Sequence, residues 1–164
     1  MKRKTNTLVM NAIVAALYVV VTVVISPIGF SQIQFRVSEL FNHLIVFNKK
    51  YFYGIVLGVF IANLLLSPMK IYDLTFGVAH SIMSLLITIF LCKFVKNIYA
   101  RLLINSFVFT SMMWVIALEL KLAIEVPFLL TYLTLVIGEL VVLLVAIPIV
   151  TALNKKINFK TLVN

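Results

Sequence analysis

The stretch Val37-Ser38-Glu39-Leu40-Phe41-Asn42-His43-Leu44-Ile45-Val46-Phe47, closed by Asn48-Lys49-Lys50 and followed by a second apolar run from Tyr51 to Ser67, decides the fold. A helix in mid-membrane does not tolerate Asn-Lys-Lys, so the region reads as two short helices with a polar turn between them. Around it lie four runs long enough to cross about 30 Å of hydrocarbon, which takes about 20 helical residues. These are Leu8 to Ile28, Ile71 to Leu91, Ile98 to Leu118 and Val126 to Leu153. Six spans result, and the chain reads as an all-α membrane protein, a single compact bundle of six transmembrane helices over residues 1–164. Val37 to Phe47 is the shortest; it reaches across only by entering a thin region, starting in the preceding loop or being shielded by its neighbours.

Composition supports the class. The chain of 164 residues is 63% hydrophobic and 12% charged, with a mean hydropathy of +1.17. The formal charge of +9 would suggest nucleic acid in a soluble chain, but the basic residues lie between apolar runs, where they set orientation instead. With six spans and both termini cytoplasmic, Lys2, Arg3, Lys4, Lys49, Lys50, Lys93, Lys96, Arg101, Lys155, Lys156 and Lys160 fall inside; Arg36, Lys70 and Lys121 fall outside. Without the short second helix, Lys93, Lys96 and Arg101 would lie on the opposite side from the N-terminus. The first apolar run is too long for a signal-peptide core and lacks a small-residue cleavage site, so it reads as a mature helix of a multi-pass protein of the prokaryotic plasma membrane. The single cysteine, Cys92, excludes an internal disulfide.

The acids form their own pattern. Glu39, Asp73 and Glu119 fall near outer helix ends, Glu125 falls in the last outer loop, and Glu139 lies near mid-membrane by the helical rise of about 1.5 Å per residue. Carboxylates next to hydrocarbon require a cavity, a partner or a ligand, so their grouping in one half of the membrane implies an outward-opening pocket for a small polar solute. Glu139 is the sharpest case, because no basic residue is expected at its depth. Glu119 and Glu125 read by default as solvated loop charges. Arg36, Glu39 and His43, spaced three and four apart, would share one helical face and satisfy one another, with Gln34 offering an amide to a solute. Asp73 suits a helix cap. Asn63, deep in a helix, must bond a neighbouring helix or a ligand. Phe30, Phe35, Tyr72, Phe76, Trp114, Phe128 and Tyr132 fall in the outer half, where one or two of them would sandwich a flat ring.

Small residues mark close packing. Gly54, Gly58 and Ala62 at four-residue spacing suit internal packing, while Ala12 and Ala16, with Ala15 beside them, suit either packing or a docking surface for another membrane protein. Catalytic motifs are absent: no HExxH, GxSxG, CxxC or GxxxxGK run occurs, and neither His43 nor His80 has a second ligand at metal spacing. The chain therefore reads as a non-enzyme with no cofactor or metal. A self-sufficient proton-coupled carrier using Glu139 is the alternative to a binding subunit, although no inverted repeat is evident.

Taken together, Ala12-xxx-Ala16, Ile33-Gln34-Phe35-Arg36-Val37-Ser38-Glu39, Ile61-Ala62-Asn63, Asp73-Leu74-Thr75-Phe76-Gly77, Leu118-Glu119-Leu120 and Gly138-Glu139-Leu140 resemble the QueT family over nearly the whole chain. These are substrate-binding S components of energy-coupling factor (ECF) transporters. The resemblance implies a solute pocket near the outer surface, closed by the loop after the first helix. It further implies docking through Ala12, Ala15 and Ala16 onto a coupling subunit driven by two separate ATPases. The implied substrate is a queuosine precursor such as 7-aminomethyl-7-deazaguanine, a vitamin-like flat cation. It would be bound by Glu139 with Glu39, Asp73 or Glu119, supported by Asn63, Gln34 and Arg36, with Phe35 or Trp114 stacking.

Overall fold

The computed structural model describes the backbone over residues 2–29 and 36–163 and the side chains over 5–25 and 36–163. Every regular element among them is helical. In chain order these are α1 (Lys2–Gly29), α2 (Val37–Phe47), α3 (Phe52–Leu66), α4 (Lys70–Leu91), α5 (Ile98–Ser111), α6 (Trp114–Ile124), α7 (Phe128–Ile157) and the short α8 (Phe159–Leu162). Among the described residues five stretches are long and apolar enough to cross a membrane, α5 and α6 together forming one of them, Ile98–Ile124. The shorter apolar helix is α2.

The reach of α2 comes from its winding. Val37–His43 is a 3-10 helix and only Leu44–Phe47 is α-helical. At about 2.0 Å rise per residue against about 1.5 Å, the tighter winding stretches eleven residues to roughly 20 Å, where an α-helix would reach roughly 16 Å. The turn after it is closed by Asn48, whose side chain accepts from the Lys50 N–H at 3.1 Å. Both ends of the chain meet at one end of the bundle. Thr7 Oγ1 donates to the Val163 carbonyl at 3.0 Å, and Lys50 Nζ donates to the same oxygen at 2.8 Å. That meeting requires an even number of passes, which α2 supplies.

The tightest seam joins α1 and α3. A Cβ on Gly58 would stand 2.7 Å from Tyr18 Cβ, and one on Gly54 would stand 2.7 Å from the Asn11 carbonyl oxygen. Glycine is required there because any side chain would separate the helices. Asn11 uses the proximity: its Oδ1 accepts from the Gly54 N–H at 2.7 Å, satisfying a first-turn donor of α3 from outside that helix. Ala62 and Ala15 are buried in the same packing.

Two interruptions shape the end away from the chain termini. In α4, Asp73–Gly77 winds as a π-helix. Between α5 and α6, Met113 N–H turns to Thr110 and Val115 N–H to Met112, leaving the Phe109 and Ser111 carbonyls without their helical donors. Unpaired carbonyls are costly in a membrane core, and each is taken by a side chain: His80 Nε2 lies 3.3 Å from Phe109 O, and Tyr132 OH donates to Ser111 O at 3.3 Å. The α5–α6 span runs on to Ile124, past the expected end at Leu118, and α7 runs to Ile157 rather than Leu153. In α7, Pro148 cannot donate to the carbonyl of Leu144.

Candidate functional site

Arg36 is the centre of the site. It directly precedes the 3-10 turn, and its carbonyl accepts from the Glu39 N–H at 2.8 Å. Its guanidinium Nη2 donates to Asp73 Oδ1 at 3.3 Å, pairing the entry to α2 with the π segment of α4. Asp73 is held from two further sides. Ser67 Oγ donates to Asp73 Oδ2 while accepting from the Met69 N–H at 2.9 Å, and Asn63 Nδ2 donates to the Asp73 carbonyl at 2.9 Å. Gly77 makes room for this: a Cβ there would stand 2.7 Å from Asn63 Nδ2 and 3.9 Å from Arg36 Nη1. Asn63 thus finds its partner on a neighbouring helix.

Glu39 is likewise held. Tyr18 OH, from α1, donates to Oε1 at 3.1 Å, and Asn42 Nδ2 donates to Oε2. The 3-10 winding explains the second bond, since residues three apart eclipse one another. It also corrects the expectation that Arg36, Glu39 and His43 share a face. Four residues of a 3-10 helix turn His43 about 120° away from Glu39. His43 instead places Nε2 3.0 Å from the Leu143 carbonyl and Nδ1 3.1 Å from Asn105 Nδ2, and Arg36 pairs with Asp73. With His80 spanning to Phe109, both histidines serve as helix-to-helix ties.

The other two carboxylates are different. Glu119 and Glu139 are buried, and no amide, hydroxyl or cationic donor among the described residues bonds a carboxylate oxygen of either; the polar neighbour of Glu119 is the Asp73 carboxylate. Glu119 lies beside Asp73 and within electrostatic reach of Arg36; Glu139 lies within reach of Glu39 and Arg36. The default reading of Glu119 as a solvated loop charge is therefore corrected. Because α6 continues past Lys121, Glu119 sits inside the helix and is 0% exposed. Glu125 does sit apart, exposed at the left-handed cap of α6 with φ 58°. Arg36, its side chain only 11% exposed, lies within electrostatic reach of Glu139.

Four buried carboxylates thus converge from α2, α4, α6 and α7 on one guanidinium, with no other Lys or Arg paired to them among the described residues. Unit charges 4 Å apart interact by about 4 kcal/mol at an effective dielectric near 20, so the surplus of negative groups favours cationic or proton-donating guests strongly. Donors for two of the acids come from the described side chains; for the other two none is found among the described residues.

The remaining expected residues separate. Trp114 is 44% exposed, and the five-residue step from it to Glu119 sets it about 140° from that carboxylate around α6. Gln34 and Phe35, with Phe30, lie outside the described residues. On α1, Ala12 and Ala16 are exposed, whereas Ala15 is buried where a Gly58 Cβ would meet it at 3.3 Å. Ala15 is thereby taken by internal packing. Tyr18, Asn42 and Ser67 were not singled out by sequence. Asn42 carried a signal, standing three residues after Glu39; Tyr18 and Ser67 reach the site through tertiary packing alone.

The QueT transporter family model matches residues 8–155. A curated relative, the queuosine precursor transporter QueT of Lactococcus lactis subsp. cremoris (strain MG1363), is 36% identical over 166 residues, an alignment covering 96% of this chain and 97% of the relative. No solved structure gives a significant match.

Proposed function

The chain belongs to the QueT transporter family, and from that membership we propose that this multi-pass membrane protein binds a queuosine precursor of the 7-aminomethyl-7-deazaguanine type in the carboxylate cluster, as the S component of an ECF importer. The observation that carries the reading is the surplus of buried carboxylates over Arg36. The solute has a guanine edge with two adjacent N–H donors, which suits a bidentate carboxylate, and an ammonium, which suits a second. Glu139 and Glu119 are the direct acceptors, because their oxygens have no donor among the described residues. Glu39 and Asp73, already bonded to Tyr18, Asn42, Ser67 and Arg36, shape the site and add to its potential. Asn63 holds the π segment, and Gln34 and Phe35 complete the recognition, Phe35 by stacking.

The chain has no phosphate-binding loop, so on this reading ATP hydrolysis falls to two partner ATPases acting through a coupling subunit. The exposed Ala12 and Ala16 on α1 are the docking surface. The deciding experiment is thermal unfolding of the purified protein against a series of purines and deazapurines. A ligand that binds only the folded state at one hundred times its Kd adds about 2.7 kcal/mol of stability. A clear rise in Tm with the aminomethyl compound, absent with uncharged analogues, supports the reading; no rise well above micromolar ligand rejects this substrate.

A second reading rests on Glu139 alone, whose buried carboxyl, without a partner among the described residues, also suits a proton site in a self-sufficient carrier. Uptake by the chain alone in proteoliposomes, abolished by an uncoupler, selects that reading; uptake only with the coupling subunit and its ATPases selects the first.

A further inference from the structure

Several hydroxyl side chains in this bundle bond to their own helix, and two on α4 do not. Thr22, Ser81, Ser106 and Thr151 each donate to the carbonyl four residues earlier on their own helix, at 2.8 to 3.1 Å, the usual resort of a hydroxyl in an apolar helix. Ser84 and Thr88 on α4 are 0% exposed and do not; they have no partner among the described residues. His80, Ser84 and Thr88 are spaced four apart and so lie along one face of α4. Among the described residues, His80 uses Nε2 on Phe109 and its Nδ1 has no partner. On the neighbouring helices Asn105 gives its Nδ2 to His43 while its Oδ1 has no partner among the described residues, and the same holds for the Oδ1 of Asn42, whose Nδ2 holds Glu39.

These groups occupy matching heights. Counting from the facing helix ends at Leu91 and Ile98, Ser84 and Asn105 are each seven residues in, about 10 Å, and His80 and Phe109 each eleven, about 16 Å, consistent with the bond between the latter two. The helices α2, α4 and α5 pack against one another here. The seam therefore starts at Asn42 and His80 beside the carboxylate cluster and descends to Thr88, one turn from the inner end of α4. Its chemistry selects the occupant. Imidazole nitrogen and amide oxygens need donors, the hydroxyls can give or accept, and no charge is present to hold an ion. Water, with two donors and two acceptors, satisfies all of them.

We propose that this seam holds a file of ordered water molecules, giving the carboxylate cluster aqueous contact from the side of the chain termini. The inference is independent of which solute the cluster binds. It is tested with Ser84→Ala, Thr88→Val and the double variant, all near-isosteric. If water bridges these hydroxyls, each single variant lowers the Tm of the ligand-free protein, by about 2–4 °C for a loss on the scale of one hydrogen bond. Microsecond hydroxyl-radical labelling then oxidises His80 in the unmodified protein despite its burial, and much less in the double variant. If the seam is dry, removing an orphaned hydroxyl leaves the Tm unchanged or raises it. That result, or a His80 that stays unlabelled, overturns the proposal.

Discussion

Tyr18 and Glu139 mark the two ways a carboxylate is treated in this protein. The Tyr18 hydroxyl, carried in from α1, is one of two donors holding Glu39, so Tyr18→Phe leaves Oε1 of a 1% exposed carboxylate unsatisfied. A hydrogen bond to a charged group contributes about 1.5–3 kcal/mol, and the ligand-free protein is expected to lose stability of that order in thermal unfolding. Glu139→Gln behaves oppositely. Its oxygens have no donor among the described residues to lose, so expression and Tm are expected to hold or improve while affinity for the aminomethyl-deazapurine falls by about 10- to 150-fold in a binding titration. Normal affinity in that variant moves the direct contact to another acid. Side by side, the two variants separate groups that build the site from groups that wait for a guest.

At the scale of the helices, irregular winding positions the site. The 3-10 part of α2 aligns Asn42 under Glu39, and the π segment of α4 presents the Asp73 carbonyl to Asn63. Gly77→Ala would set a Cβ 2.7 Å from Asn63 Nδ2, and overpacking of this kind costs about 1–3 kcal/mol. It is expected to lower Tm and weaken solute binding together, since the displaced segment carries the acid paired to Arg36; unchanged binding would detach the π segment from recognition. Helix α1 has a packed face and an exposed one. Ala15→Leu, aimed at Gly58, is expected to destabilise the bundle, whereas Ala16→Leu on the exposed face is expected to spare Tm and solute binding but block assembly with the coupling subunits, read by co-purification. Loss of solute binding in a well-folded Ala16→Leu protein would count against docking at that face. Sequence spacing alone put all three alanines in one stripe. Their separation needed the rotation of α1 against α3, which periodicity does not contain.

For the molecule as a whole, much of the architecture was legible in advance. Runs such as Ile71 to Leu91 announce themselves because a bilayer demands about 20 apolar residues per crossing, and the break at Asn48-Lys49-Lys50 separated α2 from α3 for the same reason. Family membership was legible as well, carried by Arg36-Val37-Ser38-Glu39 and Gly138-Glu139-Leu140. Less legible was the end of the fifth span: Glu119 sits next to Lys121 and reads as a loop charge, yet the helix continues to Ile124 and buries it. What the sequence by itself determined was the succession of apolar passes and the gathering of acids toward one end, both consequences of composition and order along the chain. Only the tertiary structure decided which carboxylates are spoken for and which are open. Helix winding rotates a side chain by tens of degrees within a few residues, and a hydrogen bond tolerates only a few tenths of an ångström. Whether an acid meets a donor is therefore settled where helices pack, as Tyr18 does for Glu39 and nothing among the described residues does for Glu139.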